Sequence, residues 1–108
     1  MKNIVILGAG ESGVGAALLA QQNRHHVFVS DRGGIAEKYK RELESHGIAY
    51  EEGQHTRDRI LQADEVIKSP GIPDHVPLIK ELVGKGIPVI AEIEYAARYH
   101  QSKVMGIT

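Results

Sequence analysis

The stretch that decides the fold lies near the start of the chain and reads Ile4-Val5-Ile6-Leu7-Gly8-Ala9-Gly10-Glu11-Ser12-Gly13. Its unbroken apolar run predicts a strand that is buried on both faces. The glycines fit the pattern G-x-G-x-x-G, in which Gly8 permits a tight turn, Gly10 lets backbone approach a ligand, and Gly13 lets a helix pack against the strand. Free N–H groups at the start of that helix suit an anion such as a diphosphate. The alternative is a glycine turn kept only for packing.

Short apolar runs alternate with helical patterns along the rest of the chain. Further strands are predicted at 27–29 (ending at Ser30-Asp31), 48–50, 65–68 and 88–90, and helices at 14–22, 36–46, 56–62 and 92–99, with one more helix after Asp74. This alternation with short connections predicts a parallel sheet covered on both faces. We therefore expect an α/β fold, a Rossmann-like doubly wound and mostly parallel sheet of about five strands with helices on both faces.

Length and composition narrow the classes of protein further. The 108 residues give room for one domain, and the absence of cysteine excludes disulfides. A net charge of −1 with interspersed acids and bases argues against nucleic-acid binding. No apolar run approaches the roughly 20 residues of a membrane span, and the start of the chain lacks the features of a signal peptide. We expect a cytoplasmic protein with no membrane partner.

In such sheets, ligands bind beyond the carboxyl ends of the strands. Asp31 lies at the carboxyl end of the second predicted strand, 18 residues after Gly13. An acid at this spacing can hold a ribose hydroxyl, and it can equally accept the ring N–H of a base. The alternative is an aspartate that caps a helix beside Gly33-Gly34. Arg32 is either a solvated charge or a neighbour of a base or phosphate.

The fourth predicted strand is followed by a turn of sequence Ser69-Pro70-Gly71-Ile72-Pro73. Two prolines and a glycine make this turn rigid at a position where ligands bind. Ser69 offers a hydroxyl there, and Gly71 lets the backbone approach a ligand. A purely structural turn is the alternative.

The remaining polar residues do not predict a catalytic or metal site. The histidines lack carboxylate partners at metal-ligand spacing and are expected at the surface; they are His25, His26, His46, His55, His75 and His100. Glu92 and Glu94 are two residues apart near a helix start, where we expect them to interact with the helix dipole and not to form an acid/base pair. No serine, histidine and acid occur in a nucleophile-elbow context. We expect no catalytic residues in this chain.

Four blocks of sequence together carry a resemblance to a known family: 8–13, 30–31, 63–73 and 92–95. In this order they resemble the N-terminal domain of the UDP-N-acetylmuramoylalanine–D-glutamate ligases, one of the Mur ligase families, along essentially the whole chain. The Ser-Pro-Gly-Ile-Pro block with the later Glu-Ile-Glu is far more specific than the glycine pattern. Residues 103–108 resemble the strand that leads into the ATP-binding domain. The resemblance thus implies a UDP-substrate-binding domain at 1–102 and the first strand of a truncated central domain at 103–108.

The resemblance implies a full-length ATP-dependent amide ligase of peptidoglycan synthesis, and so of cell-wall growth, cell shape and division. It would add D-glutamate to UDP-N-acetylmuramoyl-L-alanine through an acyl phosphate, as a monomer. ATP, Mg²⁺ and D-glutamate would be held by domains missing here. This chain would bind no cofactor or metal, would be inactive alone, and would hold the UDP end of the substrate.

The resemblance also implies roles for individual residues. Glu11 and Ser12 would lie along the uridine and diphosphate. Asp31 would hydrogen-bond the uracil ring, and Arg32 would contribute its backbone. The full predicted site is Gly8, Gly10, Glu11, Ser12, Gly13, Asp31, Arg32, Ser69, Pro70 and Gly71. The chain departs from the family at Gly33, where relatives often carry arginine.

Two other interpretations of the same residues stay open. An NAD-binding regulatory or dehydrogenase domain would use the glycine loop and Asp31 for an adenosine ribose. A sister Mur ligase, adding L-alanine or the diamino acid, is disfavoured by the Ser69–Pro73 and Glu92–Glu94 blocks.

Overall fold

The computed structural model describes residues 2–73 and 76–98. Within them, five strands alternate with helices. The strands are β1 (Asn3–Leu7), β2 (His26–Asp31), β3 (Ala49–Glu52), β4 (Glu65–Lys68) and β5 (Val89–Ala91). The helices are α1 (Glu11–Gln22), α2 (Glu37–Ser45), α3 (Arg57–Ile60), α4 (Pro77–Gly84) and α5, over residues 92–98.

The sheet has the order β3-β2-β1-β4-β5, and every neighbouring pair is parallel. The chain builds β2 and β3 on one side of β1 and then adds β4 and β5 on the other side. The order therefore reverses between β1 and β4, which is the point where ligands bind in doubly wound sheets. Leu7 pairs with Lys68 at the carboxyl ends of these two strands, so the loops that follow them leave the sheet side by side. The predicted fold class is confirmed.

Alternate residues of β1 supply the two halves of the core. Ile4 and Ile6 belong to the cluster beneath α1 and α2, whereas Val5 and Leu7 belong to the cluster with Ile60 of α3 and with α4. These four apolar side chains of β1 are at most 3% exposed. β1 is continuously apolar because it is the central strand and has helices on both faces.

Helix α1 lies close to β1 because the residues facing the sheet are small. A Cβ atom on Gly13 would lie 2.0 Å from the carbonyl oxygen of Gly8, far inside the contact distance. Ala16, Ala17 and Ala20 continue this buried face. The close approach holds the start of α1 directly above the carboxyl end of β1.

Several predicted boundaries were inaccurate. Helix α1 begins at Glu11, three residues before the predicted start, and β2 begins at His26, one residue before its predicted start. Helix α4 has Val76 as N-cap and Pro77 in its first turn. Asp74, the predicted cap, lies outside the described residues, as do residues 103–108, so the boundary at 102/103 stays a prediction.

Gly13 and Gly15 offer a direct test of how α1 packs against the sheet. Gly13→Ala should lower the free energy of unfolding by about 2–3 kcal/mol, because the methyl group must displace backbone. Gly15→Ala, with nothing within 4 Å of its Cβ, should instead raise it by up to about 1 kcal/mol through helix propensity. Urea denaturation of both variants measures the difference. Equal effects at the two positions would contradict the packing role of Gly13.

Candidate functional site

A cavity of about 470 Å³ opens beyond the carboxyl edge of the sheet, where the strand order reverses. The loops after β1, β2, β3 and β4 and the start of α4 form its walls. It brings together six of the ten residues predicted for the site: Gly8, Gly10, Asp31, Arg32, Ser69 and Gly71. Glu11, Ser12, Gly13 and Pro70 lie next to these residues in sequence but outside the cavity wall.

A second and slightly larger cleft, about 540 Å³, lies at the opposite edge of the sheet. It is bordered by the first residues of β1, β2 and β3 and by the last turn of α1 and the residues that follow α2 and α3. Helix carboxyl ends carry partial negative charge, which disfavours an anionic ligand. The cavity at the carboxyl edge is therefore the candidate site for an anion.

Gly8 and Gly10 shape the loop between β1 and α1 in different ways. Gly8 has φ +104°, and a Cβ atom there would lie 2.7 Å from Cβ of Ser69. Only glycine fits both this backbone conformation and the contact with the neighbouring loop. Gly10 is the N-cap of α1 and has no atom within 4 Å of a Cβ position, so its surroundings are open space on the cavity side. The predicted roles of Gly8 in the turn and Gly13 in packing are confirmed.

The carboxylate of Asp31 joins two loops of the cavity wall. Its Oδ2 accepts the N–H of Ala9 at 2.8 Å, and its Oδ1 accepts the N–H of Gly33 at 2.8 Å. The loops after β1 and β2 are thereby held at a fixed spacing. A carboxylate has about four lone-pair sites, so each oxygen can accept a further bond from a ligand. Arg32, beside it, is exposed and lines the cavity.

The loop after β4 is a hydrogen-bonded β-turn. The N–H of Ile72 donates to the carbonyl of Ser69 at 3.0 Å, with Pro70 and Gly71 at the central positions. The N–H of Gly71 also donates to Oγ of Ser69 at 3.3 Å. The N–H of Ser69 donates to the carbonyl of Leu7 at 2.9 Å, which ties this turn to the end of β1. The predicted turn is therefore present and is held by hydrogen bonds.

Ser12 and Glu92 form a contact that the sequence does not predict. The hydroxyl of Ser12, in the first turn of α1, donates to the carboxylate of Glu92 at the start of α5. Glu92 is only 4% exposed, so it does more than favour its own helix dipole. The glycine loop is thus joined to α5 through a buried acid.

His55 lines the cavity, and the prediction that it is a surface histidine is wrong. It follows the carboxyl end of β3, is half-buried, and lines the cavity. Its Nδ1 lies 2.7 Å from Oγ of Ser30, a fully buried residue of β2. Burial lowers the pKa of His55 below 6.5 despite the nearby carboxylates of Glu51 and Asp31. The signal was available, because the rule of strand carboxyl ends applies to β3 as much as to β1, β2 and β4.

Glu51 completes this hydrogen-bonded group beside the cavity. Its Oε2 accepts the hydroxyl of Ser30 at 2.8 Å and the N–H of Thr56 at 2.8 Å. Partial burial raises the pKa of Glu51, but the bonds from the backbone and hydroxyl of Thr56 and from Ser30 outweigh it and hold the pKa below 4.5. The carboxylate therefore stays charged and fixes the loop between β3 and α3.

The described residues, 2–73 and 76–98, contain neither a candidate metal site nor a helix that could span a membrane. No group of three or more histidines, aspartates or glutamates in this part of the chain is arranged to hold a metal ion. No helix in it has the length and apolar character needed to cross a membrane.

The depressed pKa of Glu51 predicts a pH dependence of stability. Above pH 4.5 the charged carboxylate stabilises the folded state, and this contribution is lost as the pH falls through the lower pKa of the folded protein. Glu51→Gln should therefore be less stable than the wild type at neutral pH, and the gap should shrink in acid. Urea titrations from neutral pH to about pH 3 measure both profiles. A gap that is constant with pH would contradict the role given to Glu51.

The strand order and the glycine-rich turn from β1 into α1 define a Rossmann-like α/β domain, and solved structures share this architecture. The UDP-N-acetylmuramate-alanine ligase MurC from Thermotoga maritima superposes with a TM-score of 0.79 at 23% identity, covering 94% of this chain and 23% of that one. This likeness concerns the fold alone.

The family is shown by sequence. Residues 3–77 match the MurD N-terminal domain family, and the chain belongs to that family. It is 60% identical over 108 residues to the UDP-N-acetylmuramoylalanine–D-glutamate ligase of Bacteroides thetaiotaomicron, covering 100% of this chain and 24% of that protein. The enzyme of the same name from Porphyromonas gingivalis is 59% identical over 106 residues, which are 98% of this chain and 24% of that protein. The chain spans about a quarter of the length of these curated relatives.

Proposed function

We propose that this chain is the part of a D-glutamate-adding Mur ligase that holds the UDP end of UDP-N-acetylmuramoyl-L-alanine. The observation that carries the proposal is the cavity at the β1/β4 reversal, in a chain 60% identical to a ligase named for that substrate. ATP, Mg²⁺ and D-glutamate would bind to parts of the enzyme beyond this chain. The complete enzyme would act in the cytoplasm.

The start of α1 supports binding of the diphosphate. The first N–H groups of a helix lack partners within it, and the helix dipole adds partial positive charge there. The N-cap is Gly10, which has no side chain to cap these groups and leaves open space above them. Arg32 adds a cation to the same cavity. The diphosphate would lie over Gly10 and accept hydrogen bonds from the first turn of α1.

The opposite wall of the cavity supports binding of the uracil base. Ile72, Val76 and Leu78 give this wall an apolar surface, which suits the flat face of a base. Asp31 lines the same cavity. Its carboxylate accepts hydrogen bonds from the N–H groups of Ala9 and Gly33 and still has lone pairs for a further donor. It would accept the imide N–H of uracil.

A pair of aspartate variants tests this assignment. Asp31→Ala should weaken UDP binding by about 1–3 kcal/mol, because a hydrogen bond to a charged group is lost. Asp64→Ala is the matched control, since its carboxylate accepts the N–H of Asn3 at 2.7 Å at the other edge of the sheet. The control should bind UDP as the wild type does. Isothermal titration calorimetry with UDP and with NAD measures both. If the wild type binds NAD but does not bind UDP, the proposed function is overturned.

A second pair of variants tests the place of the diphosphate. Gly10→Val should abolish UDP binding and leave the fold intact, since nothing in the protein lies within 4 Å of the new Cβ. Gly15→Val puts the same side chain on an open face of α1 and should keep the affinity. Circular dichroism checks the fold and calorimetry the binding. Wild-type affinity in Gly10→Val would place the diphosphate elsewhere.

A further inference from the structure

A chain of hydrogen bonds runs from the cavity wall into the protein through three residues. Nδ1 of His55 lies 2.7 Å from Oγ of Ser30, which lies 2.8 Å from Oε2 of Glu51. Ser30 has no exposed surface, and His55 borders the cavity together with Asp31 and Arg32. The group is built from the ends of β2 and β3, so its geometry is set by the sheet.

The direction of these bonds follows from the single proton of the Ser30 hydroxyl. Three possible acceptors lie within reach of it: Nδ1 of His55 at 2.7 Å, the Glu51 carboxylate at 2.8 Å and the carbonyl of Gln54 at 3.2 Å. The charged acceptor, Glu51, takes the proton, because charge-assisted hydrogen bonds are the stronger ones. Oγ of Ser30 then offers a lone pair to the ring, so Nδ1 of His55 carries a hydrogen and donates it.

The remaining ring nitrogen, Nε2, is consequently an acceptor. A neutral imidazole with hydrogen on Nδ1 bears its lone pair on Nε2. Burial favours the neutral ring, and Arg32 acts in the same direction, while Glu51 and Asp31 oppose it; the net pKa is lowered. Within residues 2–73 and 76–98, Nε2 has no hydrogen-bond partner. Because His55 lines the cavity, this lone pair is available to a donor from the ligand.

We propose that Nε2 of His55 accepts a hydrogen bond from a ribose hydroxyl of the bound uridine nucleotide. Phosphate oxygens only accept at neutral pH, so they cannot satisfy this nitrogen. The donors of a uridine nucleotide are its imide N–H and its ribose hydroxyls, and the imide is assigned to Asp31. His55 is then a specificity residue that recognises the sugar. This inference rests on the proposed function.

The ring state can be measured without any ligand. Nitrogen-15 NMR of the histidine rings in the 108-residue chain should show the hydrogen of His55 on Nδ1 at neutral pH. In water the other tautomer is the usual one, so this result is specific to the Ser30 contact. Hydrogen on Nε2, or a charged ring at neutral pH, would overturn the inference.

Two substitutions separate the nitrogens of the ring. The amide of Asn reaches the position of Nδ1 and can keep the bond to Ser30, whereas the amide of Gln reaches the position of Nε2. His55→Asn should therefore weaken UDP binding about fivefold, the effect of one hydrogen bond, and His55→Gln should retain most of the affinity. The opposite order would show a merely structural role for His55 and overturn the inference.

Nucleotide analogues identify the group that His55 contacts. The wild type should bind one of the two analogues, 2′-deoxy-UDP or 3′-deoxy-UDP, about fivefold more weakly than it binds UDP. His55→Asn should bind that analogue and UDP equally well. Equal binding of UDP and both analogues by the wild type would refute the inference and leave the proposed function standing. If the wild type does not bind UDP at all, the proposed function fails and this inference fails with it.

Discussion

The close contact between Gly13 of α1 and the carbonyl of Gly8 is the constraint on which the candidate site depends. With 2.0 Å between that oxygen and a Cβ position, no larger residue fits without a shift of backbone. The contact sets the start of α1 directly over the end of the central strand. The helix dipole, the open space at Gly10 and the loop after β4 are all positioned relative to this one point.

Backbone hydrogen bonds and one carboxylate then join the loops of the cavity wall into a single unit. Gly8 donates to the carbonyl of Ser30 at 2.9 Å, and Asp31 accepts the N–H of Ala9, so the ends of β1 and β2 are held together. The turn at Ser69 is tied to β1 in the same way. A site built like this is formed before a ligand arrives, which lowers the entropy that binding would otherwise cost.

Local patterns predict those parts of the structure that depend on neighbouring residues. The fold class, the turn at Gly8 and the packing of Gly13 follow from strand, glycine and helix patterns within a few residues of each other. The hydrogen bonds of His55 and Glu92 do not, because their partners Ser30 and Ser12 lie 25 and 80 residues away along the chain.

The place of β3 at an end of the strand order affects how copies of this chain behave at high concentration. An edge strand presents unpaired backbone groups that can template intermolecular pairing and aggregation. Here that edge is only four residues long and ends in two glutamates, Glu51 and Glu52. The strongly apolar strand β1 is enclosed at the centre of the sheet instead. The arrangement keeps the most apolar strand away from other molecules, and the ion pair of Glu52 with Lys40 places charged groups at the edge that remains.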